Sequence, residues 1–446
     1  MKNLLVVAYY FPPSGGPGVQ RVLKLIKYIR EFGWQPYVLT VSNGDFPARD
    51  ESLLKEIPED IVVHRTHIYE PYDLYRMLTG KKKGTAIDVN VIKKEGQKTG
   101  LADKFAEAIR STFFIPDARI GWTLTAKKAV REMVEKYNID AVYSSSPPYT
   151  CSLIARYAKR KYGLPWIAGF RDPWTGFISS PKRWFLPRAI DRWMEESVFL
   201  TADAVECAWK GIMKDALAKY PDIESGKFHH VPNGYDSADY PELSEEQKRP
   251  NDKFTVTYTG SMYGRRNPSS LFAALESLIK NGKLNQEEIT LKFIGRFGNE
   301  VHEMFEQASF GSSIEVINYM PHQESIVELM KSDLLLLVVD ESKESEEIVP
   351  GKVYEYIGTG KPLMAIAPEE SAIADLMMET RAGMLAHQSN IDKIEDIFMT
   401  YFNDWKNGTK SINPDFEVIR SYERRESAKK LAELLKKFQL QNKNGN

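Results

Sequence analysis

Two successive series of short apolar runs, alternating with helical stripes, limit what this chain can fold into. The first series contains residues 4–10 and the segments QPYVLTV, DIVVHRT, DAVYSSS, PWIAGF and ADAVECA, and FHHVPNGYD closes it. Apolar runs of this length without strict alternation predict strands buried on both faces. Helices are predicted over 19–32, over 124–136, after Pro148 and over 188–199. In the 19–32 helix Val22, Leu23, Ile26 and Ile29 form an apolar stripe, and Arg21, Lys24, Lys27 and Arg30 are expected to stay solvated. The second series runs FTVTYTG, a helix over Ser269–Lys280, ITLKFIG, IEVINYM, a helix over 324–331, DLLLLVV, PLMAIAP and AGMLAH. A charged amphipathic helix over 421–438 closes the chain.

Strands that alternate with helices join in parallel through crossovers, which predicts a doubly wound α/β architecture. At 446 residues the chain exceeds one ordinary core, so two such domains are expected. The boundaries read as 1–235, a polar linker over 236–253, a second domain over 254–415, and a closing segment, 416–446, packing back toward the N-terminal domain. Residues 69–125, with Lys81–Lys83, look like an insertion carrying helices. Ligands are expected between the domains, at the carboxyl ends of the strands.

Composition narrows the function classes. A formal net charge of −1 argues against a general nucleic-acid binder. Two cysteines, Cys151 and Cys207, exclude a disulfide framework or a cysteine zinc site, and the seven histidines lack metal-ligand spacing. The N-terminal apolar run stops at Pro12-Pro13 without a cleavage pattern, and no stretch has the length of a membrane span. The expected location is cytoplasmic, with a peripheral position at the inner face of a membrane as the variant. FISSPKRWFLPRAIDRWMEESVF supports that variant by mixing Trp184, Phe185, Leu186 and Trp193 with Lys182, Arg183, Arg188 and Arg192. Phe113-Phe114 and Lys81–Lys83 add to it. Glu195 and Glu196 point the other way, and a core-facing helix would look similar.

The segment EIVPGKVYEYIGTGKP concentrates candidate site residues. It follows the apolar run 334–339, and its helix opens at Pro350. Proline suits a first helical turn, glycine lets a ligand approach the backbone, and a helix N-terminus attracts anions. Gly351, Lys352 and Val353 are therefore anion-site candidates, with Glu347 and Glu355 on either side. The plainer reading of Glu347 is a solvated acidic loop. Arg265 and Arg266 follow the strand FTVTYTG, and either could meet a phosphate or lie on the surface. Gly15 and Gly16 open the first helix without the GxGxxG pattern; they permit close approach by a ligand or serve a turn. Arg171 and Asp172, in GFRDPW, are equally a catalytic pair or a structural salt bridge. SSSPPYT lines an acceptor pocket or caps a helix.

Together these stretches resemble glycosyltransferase family 4. YYFPPSGGPGVQRVLKLIKYIREFGWQPYVLTV is similar to the family's opening, and VPNGYD to its hinge. YTGSM and LKFIGRFG resemble the first two strands of its nucleotide-binding domain. INYMPHQESIVELMKSDLLLLVV followed by EEIVPGKVYEYIGTGKPLMAIA resembles its donor-site core, and the Glu347-to-Glu355 spacing is that of its paired-glutamate motif. Only about 69–117 falls outside. The resemblance implies the GT-B fold, two Rossmann-like domains facing across a cleft. It also implies retaining transfer of a hexosyl or N-acetylhexosaminyl group from a UDP- or GDP-linked donor, with no metal and no further cofactor. The acceptor would be a glycan, glycolipid or lipid-linked species in bacterial cell-surface polysaccharide assembly. By the same resemblance Glu347 meets the sugar, Glu355 holds ribose, the turn between them binds diphosphate, and the backbone at Met320 holds the base. Two positions depart from the family: Ser261 stands where an arginine is common, with Arg266 near the usual lysine, and Arg171 stands at a histidine position. A nucleotide-sugar 2-epimerase or a catalytically silent nucleotide-sugar-binding scaffold are the alternatives.

Overall fold

The structure is a computed structural model that describes residues 1–46, 48–69, 111–176, 180–318, 320–342 and 346–444. Lys81–Lys83 and most of the inserted segment lie outside the described residues. The chain divides into two compact units, one of Met1–Pro232 with Arg424–Asn446, the other of Asn233–Glu423.

Among the described residues the first unit holds seven parallel strands: β1 (Lys2–Ala8), β2 (Trp34–Val41), β3 (Val62–Thr66), β4 (Ala141–Ser146), β5 (Trp166–Phe170), β6 (Ala204–Cys207) and β7 (Phe228–His230), in the order β3-β2-β1-β4-β5-β6-β7. Leu4 pairs with Pro36 on one side and Ala141 on the other, so β1 is central, and Leu4, Leu5, Val6 and Val7 are fully buried. This explains the unbroken apolar run, since helices cover both faces of the strand. The strand order reverses between β1 and β4, where such sheets open a crevice at their carboxyl ends.

The helix Pro17–Tyr28 corrects the expectation of one solvated face. Arg21 and Lys24 are only 6% and 3% exposed. The closing helix Arg424–Asn444 packs along it, and Ala428, Leu431 and Leu435 share a core with Val19, Val22 and Ile26. Arg21 instead reaches Glu206 of β6 at 2.7 Å and the Val231 carbonyl at 2.8 Å, while Tyr143 donates to the other Glu206 oxygen at 2.6 Å. Lys24 pairs with Glu56 at 3.1 Å. Each buried charge is thereby matched by an acceptor, as burial requires.

Among the described residues the second unit has six parallel strands: β8 (Phe254–Thr259), β9 (Ile289–Ile294), β10 (Ile314–Ile317), β11 (Leu334–Val338), β12 (Leu363–Ile366) and β13 (Gly383–Ala386), in the order β10-β9-β8-β11-β12-β13. Its reversal falls between β8 and β11. The polar stretch 236–253 belongs to this unit: the Asn251 amide donates to the Lys331 carbonyl at 2.8 Å and to Asp333 at 2.9 Å. Tyr240 donates to the Glu355 carbonyl at 2.8 Å.

Candidate active site

In the second unit the candidate residues gather where β8 and β11 end. The helix Gly351–Gly358 follows Pro350, carries no acidic residue in its first turn, and has no side-chain cap. The Gly351 and Lys352 N–H groups have no acceptor among the described residues and contribute a partial positive charge, while the Val353 N–H donates to the Pro350 carbonyl at 3.1 Å. Lys352 turns from that helix toward β8, donating to the Tyr258 hydroxyl at 2.6 Å and the Thr259 carbonyl at 2.7 Å. Its ammonium lies 3.9 Å from the centre of the Tyr258 ring. Gly260, at φ +105°, makes the room: a Cβ there would stand 2.8 Å from the Lys352 Nζ. Burial, reinforced by the nearby charge of Arg266, lowers the Lys352 pKa to about 7, against a smaller opposing effect of Glu355. Tyr356, fully buried one turn along the helix, receives the Thr259 N–H at 2.8 Å and locks helix to strand.

Arg266 approaches Asp340, just past β11, at 3.8 Å, and its buried Nε has no hydrogen-bond partner among the described residues. Arg265 is exposed. Of the two arginines, Arg266 is therefore the one turned toward this group. Glu355 is about one-third exposed, and one of its carboxylate oxygens lies 2.9 Å from His322 Nε2. Met320 is half-buried just before the Pro321 that caps the helix His322–Lys331. Val353 is buried, and Glu347 is half-buried in a helical turn ahead of Pro350. His322, Tyr258 and Asp340 escape the sequence reading, although the first is the last residue of the strand-end segment NYMPH.

In the first unit, Arg171 is bound into the scaffold. Its guanidinium donates to the Gly18 carbonyl at 3.1 Å, to Ser145 Oγ at 3.3 Å and to the Pro147 carbonyl. A Cβ on Gly18 would meet it at 2.7 Å, so the absence of a side chain there lets the cation seat against the first helix. Arg171 and Asp172 form no ion pair, which corrects the salt-bridge reading. The Asp172 side chain accepts no hydrogen bond from the described residues, and burial, only partly offset by the Arg171 charge, raises its pKa. Tyr149 stacks on Trp174 at 4.6 Å and donates to the Pro173 carbonyl at 2.5 Å, fixing the loop that carries Asp172. Gly16 is an exposed helix cap, and the Gly15 N–H is already bonded to the Ala48 carbonyl at 3.0 Å. Ser144 and Ser146 are buried and hydrogen-bonded to Trp166 and Ser152, so they serve the fold.

The helix Phe185–Thr201 divides its residues by face. Phe185 is 71% and Trp193 57% exposed, and Trp184, Leu186, Ile190 and Leu200 are exposed with them. Exposed Lys182, Arg188 and Arg192 flank this surface, and Phe113 is 72% exposed nearby in sequence to Thr112, which accepts from Trp184 at 3.0 Å. Arg183 is not part of the surface: it is buried against Asp191 at 2.8 Å and donates to the Ser111, Phe114 and Pro116 carbonyls. Glu195 also points inward, bonded to Thr175 and Tyr220. Of the two acids that opposed an interfacial reading, only Glu196 is exposed. No helix among the described residues is long and apolar enough to cross a membrane. Among the same residues no group of three or more histidine, cysteine or acidic side chains is placed to hold a metal ion.

Comparison with known proteins follows the same lines. No curated protein matches the sequence. Among solved structures, Anabaena Alr3699/HepE in complex with UDP is similar at 14% identity and a TM-score of 0.61, over 98% of this chain and 100% of that one. A glycosyltransferase from Rickettsia africae ESF-5 is similar at 14% identity and a TM-score of 0.61, over 98% of each chain. WaaG, a glycosyltransferase involved in lipopolysaccharide biosynthesis, is similar at 12% identity and a TM-score of 0.52, over 96% of this chain and 95% of that one. At such identities the likeness concerns the fold, which is GT-B, two units each built on a parallel Rossmann-like sheet. Residues 16–239, half of the chain, match the profile of Glycosyltransferase Family 4, and the chain belongs to that family.

Proposed function

We propose that this protein transfers a hexosyl or N-acetylhexosaminyl group, with retention of configuration, from a UDP- or GDP-linked donor to a glycan, glycolipid or lipid-linked acceptor of the cell surface. The observation that carries the reading is the meeting of Arg266, Lys352, the open N-terminus of Gly351–Gly358 and Glu355 at the switch point of one sheet. Cations and backbone N–H groups suit a diphosphate, and a carboxylate a few residues along the helix suits ribose hydroxyls. The structural likeness to a protein solved with UDP agrees with such a donor.

In this reading the bond from the anomeric carbon to the diphosphate oxygen breaks as an acceptor hydroxyl attacks from the same face. The hydroxyl proton passes to the departing phosphate oxygen. Arg266, Lys352 and the helix end stabilise the charge that gathers on the leaving group, without a metal. Glu347 meets the donor sugar, and the Met320 backbone meets the base. Asp172, a carboxylate that accepts no hydrogen bond from the described residues, has capacity left to bond a substrate hydroxyl other than the attacking one. Arg171 acts by holding the Asp172 loop, with three of its N–H groups bonded to Gly18, Ser145 and Pro147. The exposed aromatic and basic face of Phe185–Thr201 supports a peripheral position at the inner membrane surface, where a lipid-linked acceptor would be found.

Calorimetry with UDP, GDP, ADP and their sugar conjugates, with and without magnesium, tests the donor site. One diphosphate should bind without magnesium, and Glu355→Gln should weaken it about 10- to 100-fold, the loss of a charge-assisted hydrogen bond. Binding that requires magnesium, or that Glu355→Gln leaves intact, overturns the assignment. Arg171, with three of its five N–H groups bonded into the scaffold, also favours a second reading, a nucleotide-sugar-binding protein without turnover. Donor binding with no transfer to any of a broad acceptor panel would select it.

A further inference from the structure

We propose that His322 is a positioning residue of the donor site, holding one oxygen of Glu355 so that the other selects for the ribose hydroxyls of the nucleotide. The inference rests on the donor-site reading above. An ionised carboxylate only accepts hydrogen bonds, so at 2.9 Å the imidazole donates, and Nε2 carries the proton. The second Glu355 oxygen has no partner among the described residues. A glutamate at a third exposure on a helix surface ordinarily samples several rotamers, which lowers the strength of any bond it makes to a ligand. Here it is fixed from two directions. Tyr240 holds the Glu355 carbonyl at 2.8 Å and His322 holds its carboxylate, and the two come from segments far apart in the chain. Gly358 contributes to the first hold, because a Cβ there would meet the Tyr240 hydroxyl at 2.5 Å.

The placement of His322 has a chemical consequence. It opens the helix that follows β10, two residues after Met320, so it lies beside the position assigned to the base while bonding the residue assigned to ribose. A surface histidine–glutamate pair with no ligand role would contribute little. A pair that aims a carboxylate at a vicinal diol makes a different prediction, because its benefit appears only when the ligand carries the hydroxyls.

The test measures affinities of the full chain for UDP and GDP and for their 2′,3′-dideoxy forms by calorimetry. The wild type should prefer the ribose form of its nucleotide by about 10- to 100-fold. His322→Ala should cut that preference to about threefold or less while leaving affinity for the dideoxy form unchanged, which a purely structural role would not do. His322→Gln, whose amide can donate from a similar position, should restore most of it. Full ribose preference in His322→Ala overturns the inference, as does equal weakening toward both forms. If the wild type binds neither UDP nor GDP in either form, the donor-site reading fails and takes this inference with it. If it binds both forms equally, the ribose role of Glu355 fails alone.

Discussion

Lys352 carries an amine to the end of β8, where it meets a phenol and a carbonyl instead of a carboxylate. Arg266, Glu355 and Tyr258 are the charged or titratable groups around it. Between its lowered pKa of about 7 and the ordinary 10.5, the unfolded chain keeps this proton and the folded chain releases it. Stability from this residue therefore rises with pH across that window, and the burial cost is largest below it. Lys352→Met should gain stability over the wild type at about pH 6, with the gain shrinking toward about pH 10, as read by denaturant unfolding. A bound diphosphate should return the proton, so that binding just above neutrality takes up protons. Calorimetry in buffers of different ionisation heat would detect it, and zero uptake would remove Lys352 from the phosphate site. Arg171 makes a contrasting case. Arg171→Met strips a donor from the Gly18 and Pro147 carbonyls, so it should cost about 1–3 kcal/mol of stability and leave donor affinity unchanged. An unaltered melting temperature would show that these contacts do not brace the loop.

The helix Arg424–Asn444 contributes to the first unit as a wall of its core. Leu431 is fully buried there, and Leu431→Ala should destabilise that unit by about 2–5 kcal/mol, measurable as a lower urea midpoint. The same helix shows what was legible beforehand. The parallel strands announced themselves as apolar runs, because a strand covered on both faces has no polar side to show. The short strand Phe228–His230 did not, since its three residues vary from buried to exposed. Arg21, Lys24, Arg183 and Glu195 lie buried where the sequence pattern predicts a solvated or exposed side chain, for a common reason. Periodicity identifies one apolar stripe, whereas a partner helix or a buried acceptor supplied from elsewhere decides whether a flanking charge is solvated. The glutamate spacing and the arginines after FTVTYTG point from sequence to the candidate region where β8 and β11 end. The His322–Glu355 bond joins residues on two different helices, and no local pattern reveals such a pair.

Across the whole molecule the formal charge nearly cancels, at −1, so attraction to an anionic bilayer would rest on local basic groups, among the described residues Lys182, Arg188 and Arg192 with their aromatic neighbours. Sedimentation with phosphatidylglycerol vesicles should therefore recover the protein at low salt and release it at about 0.5 M salt, where charges are screened within a few ångströms. Trp193→Asp with Arg188→Glu should abolish recovery without altering the melting temperature, and recovery in this double variant would move the contact elsewhere. The two units also differ in how they are threaded. The second is one uninterrupted stretch, Asn233–Glu423, while the first needs both Met1–Pro232 and Arg424–Asn446. During synthesis the inner stretch has all its strands outside the ribosome while the outer one still lacks the helix that covers Val19, Val22 and Ile26. The portion made first is thus the portion completed last, its apolar strip over Val19, Val22 and Ile26 staying uncovered until Arg424–Asn444 is made.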